Sequence, residues 1–357
     1  MRPTYAEIDL GAIRHNVTAF KELIEPSAVC TVVKADGYGH GDVPIANAAI
    51  DAGAQCLAVA LVEEGVRLRE AGIEAPVLLL SEPAPEAASD LGRWDLQPTL
   101  YSKPFLDALE GTGVRLSVHI KVDTGMHRVG ASPAAAVRLA QRVQESSQLT
   151  FGSLWTHFAV ADEDPGFTRN QIERFDAIVD QLDPPMTHLA NTAGAVLYPE
   201  ARGDLCRIGL GTYGLHPCSE TRGLIDLRPA MRVVTHVTHV QRLDRGERPS
   251  YGRVRELEHP ATVVTAPIGY ADGFPRLLTR AGSVLIRGKR SPLAGTVTMD
   301  QIVIDVGDED VEVGEEIVLL GPQDGDEITA DDWADRLDTI SYEVVCSIGP
   351  RVSRRYI

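Results

Sequence analysis

The chain has 357 residues and a net charge of −17, with 44% hydrophobic and 24% charged residues, which is typical of a soluble globular protein. The acidic balance argues against a nucleic-acid or anionic-membrane surface, because both require clustered lysine and arginine. Five scattered cysteines without CxxC spacing, and an N-terminus without an apolar signal segment, predict a cytoplasmic protein with reduced thiols and no metal site.

The first informative element is a short apolar run that ends in a lysine. Residues 28–33 read as a buried strand, and Lys34 opens a loop that contains three glycines, Tyr38 and His40. Burial favours the neutral, nucleophilic form of a lysine, and glycines let the backbone approach a ligand closely. Taken alone, a lysine in this position is more often a solvated strand end, so both interpretations stay open at this point.

From residue 28 to about 230, short apolar runs alternate with amphipathic segments. The expected strands are Val29–Val33, Cys56–Ala60, Val77–Leu80, Gln97–Leu100, Leu116–Val122, Ser153–His157, Thr187–Ala190 and Cys206–Leu210. The expected helices between them include Glu63–Ala71, Pro104–Glu110, Ala134–Glu145 and Asn170–Leu182. Eight such strands predict an α/β fold with an N-terminal (β/α)8 barrel over residues 11–230, rather than a doubly wound sheet.

The pattern changes after Pro229. Strand-like runs follow one another with little helix between them apart from Ala330–Arg336; they are Val233–Val240, Ala261–Pro267, Val284–Ile286, Ile302–Val306 and Glu316–Leu320. Residues 231–357 are therefore predicted to form a C-terminal mostly-β domain. We expect residues 1–10 to supply a strand that packs with that domain.

Polar residues follow several of the predicted barrel strands. They are Lys34 after the first strand, Lys121–Arg128 after the fifth, His157 after the sixth, Asn191 and Thr192 after the seventh, and Arg207–Gly214 after the eighth. Barrel enzymes build their sites at this end, and a glycine-rich turn after the last strands often binds phosphate. Singly, each has an ordinary explanation, such as a helix cap for Thr192 or a core histidine for His157. Together they predict an active site.

These residues match a known family. The chain resembles the alanine racemases, pyridoxal-phosphate enzymes with an N-terminal barrel and a C-terminal β domain, from Tyr5 to Tyr356. The matching segments are residues 6–10, the Lys34 loop, 121–130, 156–159, 188–191, 207–214, 250–252, 268–273, 299–301 and 341–343. The resemblance implies interconversion of L-alanine and D-alanine with pyridoxal 5'-phosphate, and a supply of D-alanine for peptidoglycan.

The resemblance also assigns roles to individual residues. Lys34 is similar to the lysine that carries the cofactor, and Arg207 to the arginine that faces its pyridine nitrogen. The phosphate group is expected to contact Tyr38, Thr192, Tyr342 and the backbone of Gly209 and Leu210. Cofactor contacts are also expected from Arg128, His157 and Asn191. The substrate carboxylate is expected to bind Arg128 and the backbone of Met299 from a partner subunit.

Racemisation needs a proton removed on one face of Cα and returned on the other, which favours two bases. Lys34 is expected to be one base, and Tyr251 of the partner subunit matches the second, so the resemblance implies a homodimer with active sites at its interface. Alternatives remain: a racemase of broad specificity for serine or basic amino acids, a non-catalytic pyridoxal-phosphate barrel or a regulatory barrel. A D-amino-acid lyase on the same fold would need a metal site, for which the sequence has no ligand spacing.

Several positions bear on how the site is tuned. Thr192 stands where serine is common, His127 stands where a smaller residue is common, and Thr296 stands where many members have an arginine in the corridor to the active site. Lys121 matches a lysine that can be carbamylated. Substrate breadth, the effect of these residues and a biosynthetic or catabolic role are left open by the sequence.

Overall fold

The computed structural model describes residues 2–357, which form two compact units. One unit comprises Gly11–Gly37 and Gly41–Arg228; the other comprises the residues up to Leu10, Tyr38–His40 and Pro229–Ile357. The strands are β1 (Tyr5–Ile8), β2 (Ala28–Val32), β3 (Cys56–Val59), β4 (Val77–Leu79), β5 (Thr99–Leu100), β6 (Leu116–Lys121), β7 (Leu149–Trp155), β8 (Thr187–His188), β9 (Leu205–Ile208), β10 (Met231–His236), β11 (His239–Leu243), β12 (Ala261–Ala266), β13 (Ser283–Ile286), β14 (Lys289–Pro292), β15 (Ile302–Gly307), β16 (Glu316–Gln323), β17 (Asp326–Ile328) and β18 (Ser353–Tyr356). The helices are α1 (Leu10–Ile24), α2 (Asp42–Asp51), α3 (Val62–Glu70), α4 (Ala88–Arg93), α5 (Lys103–Thr112), α6 (Pro133–Glu145), α7 (Pro165–Leu182), α8 (Thr192–Leu197), α9 (Ala330–Leu337) and α10 (Ser341–Ser347).

The larger unit is the expected (β/α)8 barrel. Its eight strands are all parallel and form two ladders, in the orders β4-β3-β2-β9 and β5-β6-β7-β8. A bridge between Leu78 and Gln97 connects β4 to the beginning of the second ladder. Paired residues on neighbouring strands have side chains on the same side of the sheet. Cys30 of β2 is paired with Arg207 of β9, so their side chains lie on the same side. β7 begins at Leu149, four residues before the predicted run.

The helices of this unit follow directly from the spacing of apolar residues. In α6 the buried residues are Ala136, Leu139, Ala140 and Val143, spaced at i, i+3, i+4 and i+7. The helix begins after Ser132, whose hydroxyl accepts from Ala135 N, and Pro133 occupies the first turn, where its missing N–H is not needed. One face of the helix therefore packs on the barrel. Across residues 2–357, no helix is both long and apolar enough to cross a membrane.

The smaller unit is mostly β-structure. Its larger sheet has the order β14-β13-β16-β10-β1-β18, with β17 beside β16, and a separate sheet contains β11-β12-β15. Tyr5 of β1 lies opposite Val234 of β10 and Ser353 of β18, so the N-terminal strand is inserted between strands of the C-terminal region. The predicted run Val233–Val240 is divided between β10 and β11, and the helix α10 was not predicted from the sequence.

Candidate active site

Lys34 lies two residues after the end of β2 and is followed by an unusual turn. Residues 35–38 have φ values between 52° and 58°, a left-handed turn that costs roughly 1–2 kcal/mol for each non-glycine residue. The buried Glu64 carboxylate stabilises this turn by accepting a hydrogen bond of 2.7 Å from Ala35 N, while its other oxygen accepts from Ala60 N. The backbone after Lys34 is therefore held in a conformation that local preference disfavours.

Several basic side chains lie close together in the barrel. Burial, followed by the charge of Arg207 and then that of Arg128, lowers the pKa of Lys121 to about 7. Lys121 Nζ lies 4.2 Å from the centre of the Trp155 ring, and Arg207 Cζ lies 4.6 Å from it. Lys34 also contributes to lowering this pKa, so its charge is close. A chain of net charge −17 thus gathers cations where an anionic ligand would be favoured.

Arg207 is only 2% exposed, and both terminal nitrogens of its guanidinium are engaged. One donates to His188 Nδ1 at 2.8 Å and to His188 O at 3.0 Å. The other donates to Thr156 O and Leu189 O, both at 2.8 Å, and shares one of these two hydrogens with His157 Nδ1 at 3.2 Å. Arg207 Nε, however, is buried without a hydrogen-bond partner among residues 2–357. Burial lowers the pKa of Arg207 to about 10, so the guanidinium is still protonated at neutral pH.

The proton of His157 is placed by Arg207. Because a guanidinium can only donate, His157 Nδ1 must accept, and the ring proton lies on Nε2. Burial, and then the Arg207 charge, lowers the pKa of His157 well below its usual value, so the ring is neutral. His157 therefore presents a neutral N–H donor on the side of the ring away from Arg207.

The turn after β9 is joined to the start of α8. Thr192 Oγ1 accepts from Gly209 N at 3.1 Å and from Gly211 N at 3.5 Å. Asn191 caps α8, because its side chain accepts from Gly194 N. A Cβ at Gly211 would lie 2.4 Å from the ring of Phe20, so only glycine fits this close approach. The hydroxyl of Thr192 and the backbone of this turn therefore form one rigid group of polar atoms.

The loop after β6 carries Arg128 and His127. Asp123 accepts hydrogen bonds from Gly125 N at 3.0 Å, His127 N at 3.1 Å and His127 Nδ1 at 2.9 Å. These bonds hold the exposed His127 side chain against Asp123, and Arg128 beside it is exposed as well. The larger residue at position 127 is thus held by its own loop.

Two of the predicted phosphate ligands lie in the smaller unit. The rings of Tyr38 and Tyr342 have centroids 6.2 Å apart. Burial, and then proximity to Tyr342, raises the pKa of Tyr38, so its hydroxyl keeps its proton and can donate. Gly39 has φ +79°, and a Cβ there would lie 2.5 Å from Val345 O. Arg354 Nε donates to Gly39 O at 2.9 Å, which fixes the segment next to Tyr38.

Tyr251 and Met299 are strongly exposed, at 75% and 52%. The backbone at Tyr251 is nevertheless held by a reciprocal pair of hydrogen bonds. Ser250 Oγ donates to Thr296 O at 2.7 Å, and Thr296 Oγ1 donates to Tyr251 O at 2.6 Å. Thr296, which differs from the residue common in the family, is thus a buried anchor for the turn that carries Tyr251.

Sequence reasoning missed part of the barrel interior. His119, Ser153 and His188 are buried, and His188 is bonded to Arg207, but the sequence assigned no role to any of them; His188 stood only within the matching segment 188–191. Strand β6 reads Leu-Ser-Val-His-Ile-Lys, and this alternation of apolar and polar residues was the available signal. The inward positions of this strand are polar, which is unusual for a packed barrel.

Together, the fold and the cationic site describe a barrel enzyme with a C-terminal β domain. Residues 8–217 match the family model for the alanine racemase N-terminal domain, and residues 230–356 match the model for its C-terminal domain. The chain therefore belongs to the alanine racemase family, whose activity is that of an isomerase interconverting L-alanine and D-alanine. The second match disfavours the alternative of a lone pyridoxal-phosphate barrel.

Individual relatives agree with this assignment over their full length. An alanine racemase from Symbiobacterium thermophilum is 45% identical over 368 residues, covering 100% of this chain and 97% of the relative. The structure of an alanine racemase from E. faecalis is similar with a TM-score of 0.96 at 38% identity, covering 100% of this chain and 98% of that one. The Bacillus anthracis enzyme, solved with bound L-Ala-P, is similar with a TM-score of 0.94 at 34% identity, covering 100% of this chain and 95% of that one.

Proposed function

We propose that this enzyme racemises alanine with pyridoxal 5'-phosphate carried by Lys34, and that Tyr251 of the partner subunit supplies the second base. The observation that carries the proposal is Arg207 Nε, a buried N–H without a partner among residues 2–357. A buried donor left unsatisfied is unfavourable by about 1–3 kcal/mol, so it is expected to meet an acceptor from a ligand. An unprotonated pyridine nitrogen is such an acceptor.

The other residues fit the same cofactor. Lys34 lies two residues after β2, immediately before the left-handed turn of residues 35–38. Hydroxyl and backbone N–H groups suit the phosphate dianion; we assign this role to Tyr38, Thr192, Tyr342 and the backbone of Gly209 and Leu210. His157, Asn191 and Arg128 complete the proposed cofactor contacts.

Pyridoxal phosphate, when bound, withdraws electrons from the substrate Cα and so acidifies its proton. Arg207 remains protonated and can only donate to the ring nitrogen, which keeps that nitrogen unprotonated and moderates the withdrawal. Moderate withdrawal favours return of the proton to Cα over side reactions. Arg207 thus supports racemisation rather than transamination.

The proton is moved by two groups on opposite faces of Cα. Lys34 holds or releases it on one face, and the phenol oxygen of Tyr251 of the partner subunit does so on the other. His157 presents a neutral Nε2–H, which stabilises a deprotonated phenol oxygen by donating to it. The exposure of Tyr251 and Met299 supports their use in the site of a partner subunit.

The substrate carboxylate is assigned to Arg128 and to the backbone of Met299 of the partner subunit. This arrangement makes the homodimer part of the active site, because neither subunit holds both bases at one site. The family resemblance further supports the use of the product, D-alanine, in peptidoglycan synthesis.

Borohydride reduction tests the attachment of the cofactor. After reconstitution and reduction, peptide mass mapping should recover the added pyridoxyl group on the peptide that contains Lys34. Lys121→Met is the matched control, because it removes the neighbouring buried lysine and should leave the label on Lys34. Recovery of the label on Lys121, or no label after reconstitution, would contradict the proposal.

A further inference from the structure

A column of polar side chains crosses the barrel interior behind Arg207. His188 Nε2 lies 2.8 Å from Ser153 Oγ, which lies 2.7 Å from His119 Nδ1. His119 Nε2 lies 3.0 Å from Gln97 Oε1. The column therefore connects the Arg207 guanidinium to an amide through three hydrogen bonds beyond His188. Its members come from four different strands or strand ends of the barrel.

The donor of every hydrogen bond in this column follows from its two ends. Arg207 can only donate, so His188 Nδ1 accepts and the His188 proton lies on Nε2. His188 Nε2–H therefore donates to Ser153 Oγ. The Ser153 hydroxyl in turn donates its own hydrogen to His119 Nδ1. His119 then carries its proton on Nε2 and donates to the Gln97 carbonyl oxygen. All bonds run in one direction, away from Arg207.

The two histidines of the column are neutral and firmly packed. Burial lowers the pKa of His119 to about 4 and lowers that of His188 well below its usual value. The His188 ring stacks on Trp155 with centroids 5.3 Å apart and an angle of 12° between planes. A Cβ at Gly152 would lie 3.0 Å from His119 Cε1, so glycine makes room for the His119 ring.

This direction has an electrostatic consequence. Within residues 2–357, no carboxylate pairs with Arg207; its partners are carbonyl oxygens and neutral rings. Each member of the column turns its accepting atom toward the guanidinium, so successive bonds polarise one another and stabilise the positive charge. A carboxylate in the same place would neutralise that charge instead. The column holds Arg207 and leaves its charge intact.

We propose that Gln97, His119 and Ser153 are positioning residues, acting through His188 to hold Arg207 so that its Nε–H stays directed at the ligand. The part of this inference that concerns the pyridine nitrogen rests on the proposed function. The direction of the hydrogen bonds does not, because it follows from the protein atoms alone. The two can therefore fail separately.

Neutron crystallography of the cofactor-loaded dimer tests the direction. We expect deuterium on Nε2 of both His188 and His119, none on their Nδ1 atoms, and the Ser153 hydroxyl deuterium pointing at His119. Deuterium on Nδ1 of either ring, or a Ser153 hydroxyl pointing at His188, would overturn the proposal.

Substitution tests the consequence for the site. Ser153→Ala removes the central hydroxyl, and Thr99→Val is the matched control, because Thr99 Oγ1 is buried in the same barrel but donates to Leu79 O at 2.5 Å, outside the column. Ser153→Ala removes both hydrogen bonds of this hydroxyl, and we expect kcat to fall by about three- to tenfold. KM should stay within about twofold, since Arg207 is not a substrate contact. The absorption band of the bound cofactor should shift in Ser153→Ala and not in Thr99→Val.

The outcomes are distinguishable. If both variants bind cofactor and have the same kcat and spectrum as the wild type, the positioning role is wrong while the proposed function stands. If the wild type binds no cofactor, the proposed function fails, and the neutron map of the protein still decides the direction of the column. If Ser153→Ala does not fold, that map of the unchanged protein is the deciding measurement.

Discussion

Acidification should destabilise this protein through its buried histidines, and His119 permits a quantitative prediction. Its pKa falls from 6.5 to about 4 in the folded barrel because burial disfavours the imidazolium. The unfolded chain therefore binds a proton between these two values, whereas the folded protein does not. Stability is fully present above pH 6.5 and is lost as the pH falls toward 4.

The size of the effect follows from the two pKa values of His119. Each pKa unit corresponds to about 1.4 kcal/mol, so complete acidification removes about 3 kcal/mol of unfolding free energy. Between pH 7 and pH 5 the same two pKa values give a loss of about 2 kcal/mol. His157 and His188 are shifted in the same direction, so the wild-type protein should lose more than this in total.

The contribution of His119 is isolated by His119→Gln, whose amide can accept from Ser153 and donate to Gln97 but does not titrate. Urea denaturation of both proteins at pH 7 and pH 5, at one protein and cofactor concentration, gives four unfolding free energies. The wild type should lose about 2 kcal/mol more than His119→Gln on acidification. Thr99→Val should lose as much as the wild type. Equal losses in wild type and His119→Gln would refute the assignment of a depressed pKa to His119.

Three further outcomes are expected. In deuterium oxide, Tyr251→Phe should slow exchange of the α-proton of L-alanine much more than that of D-alanine, because Lys34 can still remove the α-proton of D-alanine. Exchange at the wild-type rate from both enantiomers would exclude the two-base mechanism. Mixing equal amounts of inactive Lys34→Ala and inactive Tyr251→Ala should restore about a quarter of wild-type activity, since half of the dimers are mixed and each mixed dimer has one intact site of two. If mass spectrometry shows that mixed dimers have formed but they are inactive, both bases belong to the site of one chain. Thr296→Val removes the hydrogen bond to Tyr251 O and should lower kcat by up to about tenfold, with little change in cofactor binding. An unchanged kcat would show that this hydrogen bond is not needed for activity.

Periodicity was sufficient to predict the barrel, because parallel strands separated by helices have few compact arrangements. The same pattern predicted that Lys34, His157 and Arg207 lie at one face of the barrel, because side chains at the C-terminal ends of parallel strands converge there. Exact ends were less accurate: β7 begins four residues earlier than predicted, and the run after Pro229 is split into β10 and β11. Such ends depend on neighbouring strands, which local sequence does not specify.

The sequence alone thus predicted the eight barrel strands in their order and a mostly-β region after them. Its assignments of catalytic roles and of a dimeric site remain predictions. Only the tertiary structure decided that Arg207 Nε has no hydrogen-bond partner among residues 2–357, that Lys121 loses much of its basicity, and that hydrogen bonds run from Arg207 to Gln97. These properties depend on desolvation and on distances between atoms far apart in the chain, which come together only when the barrel closes.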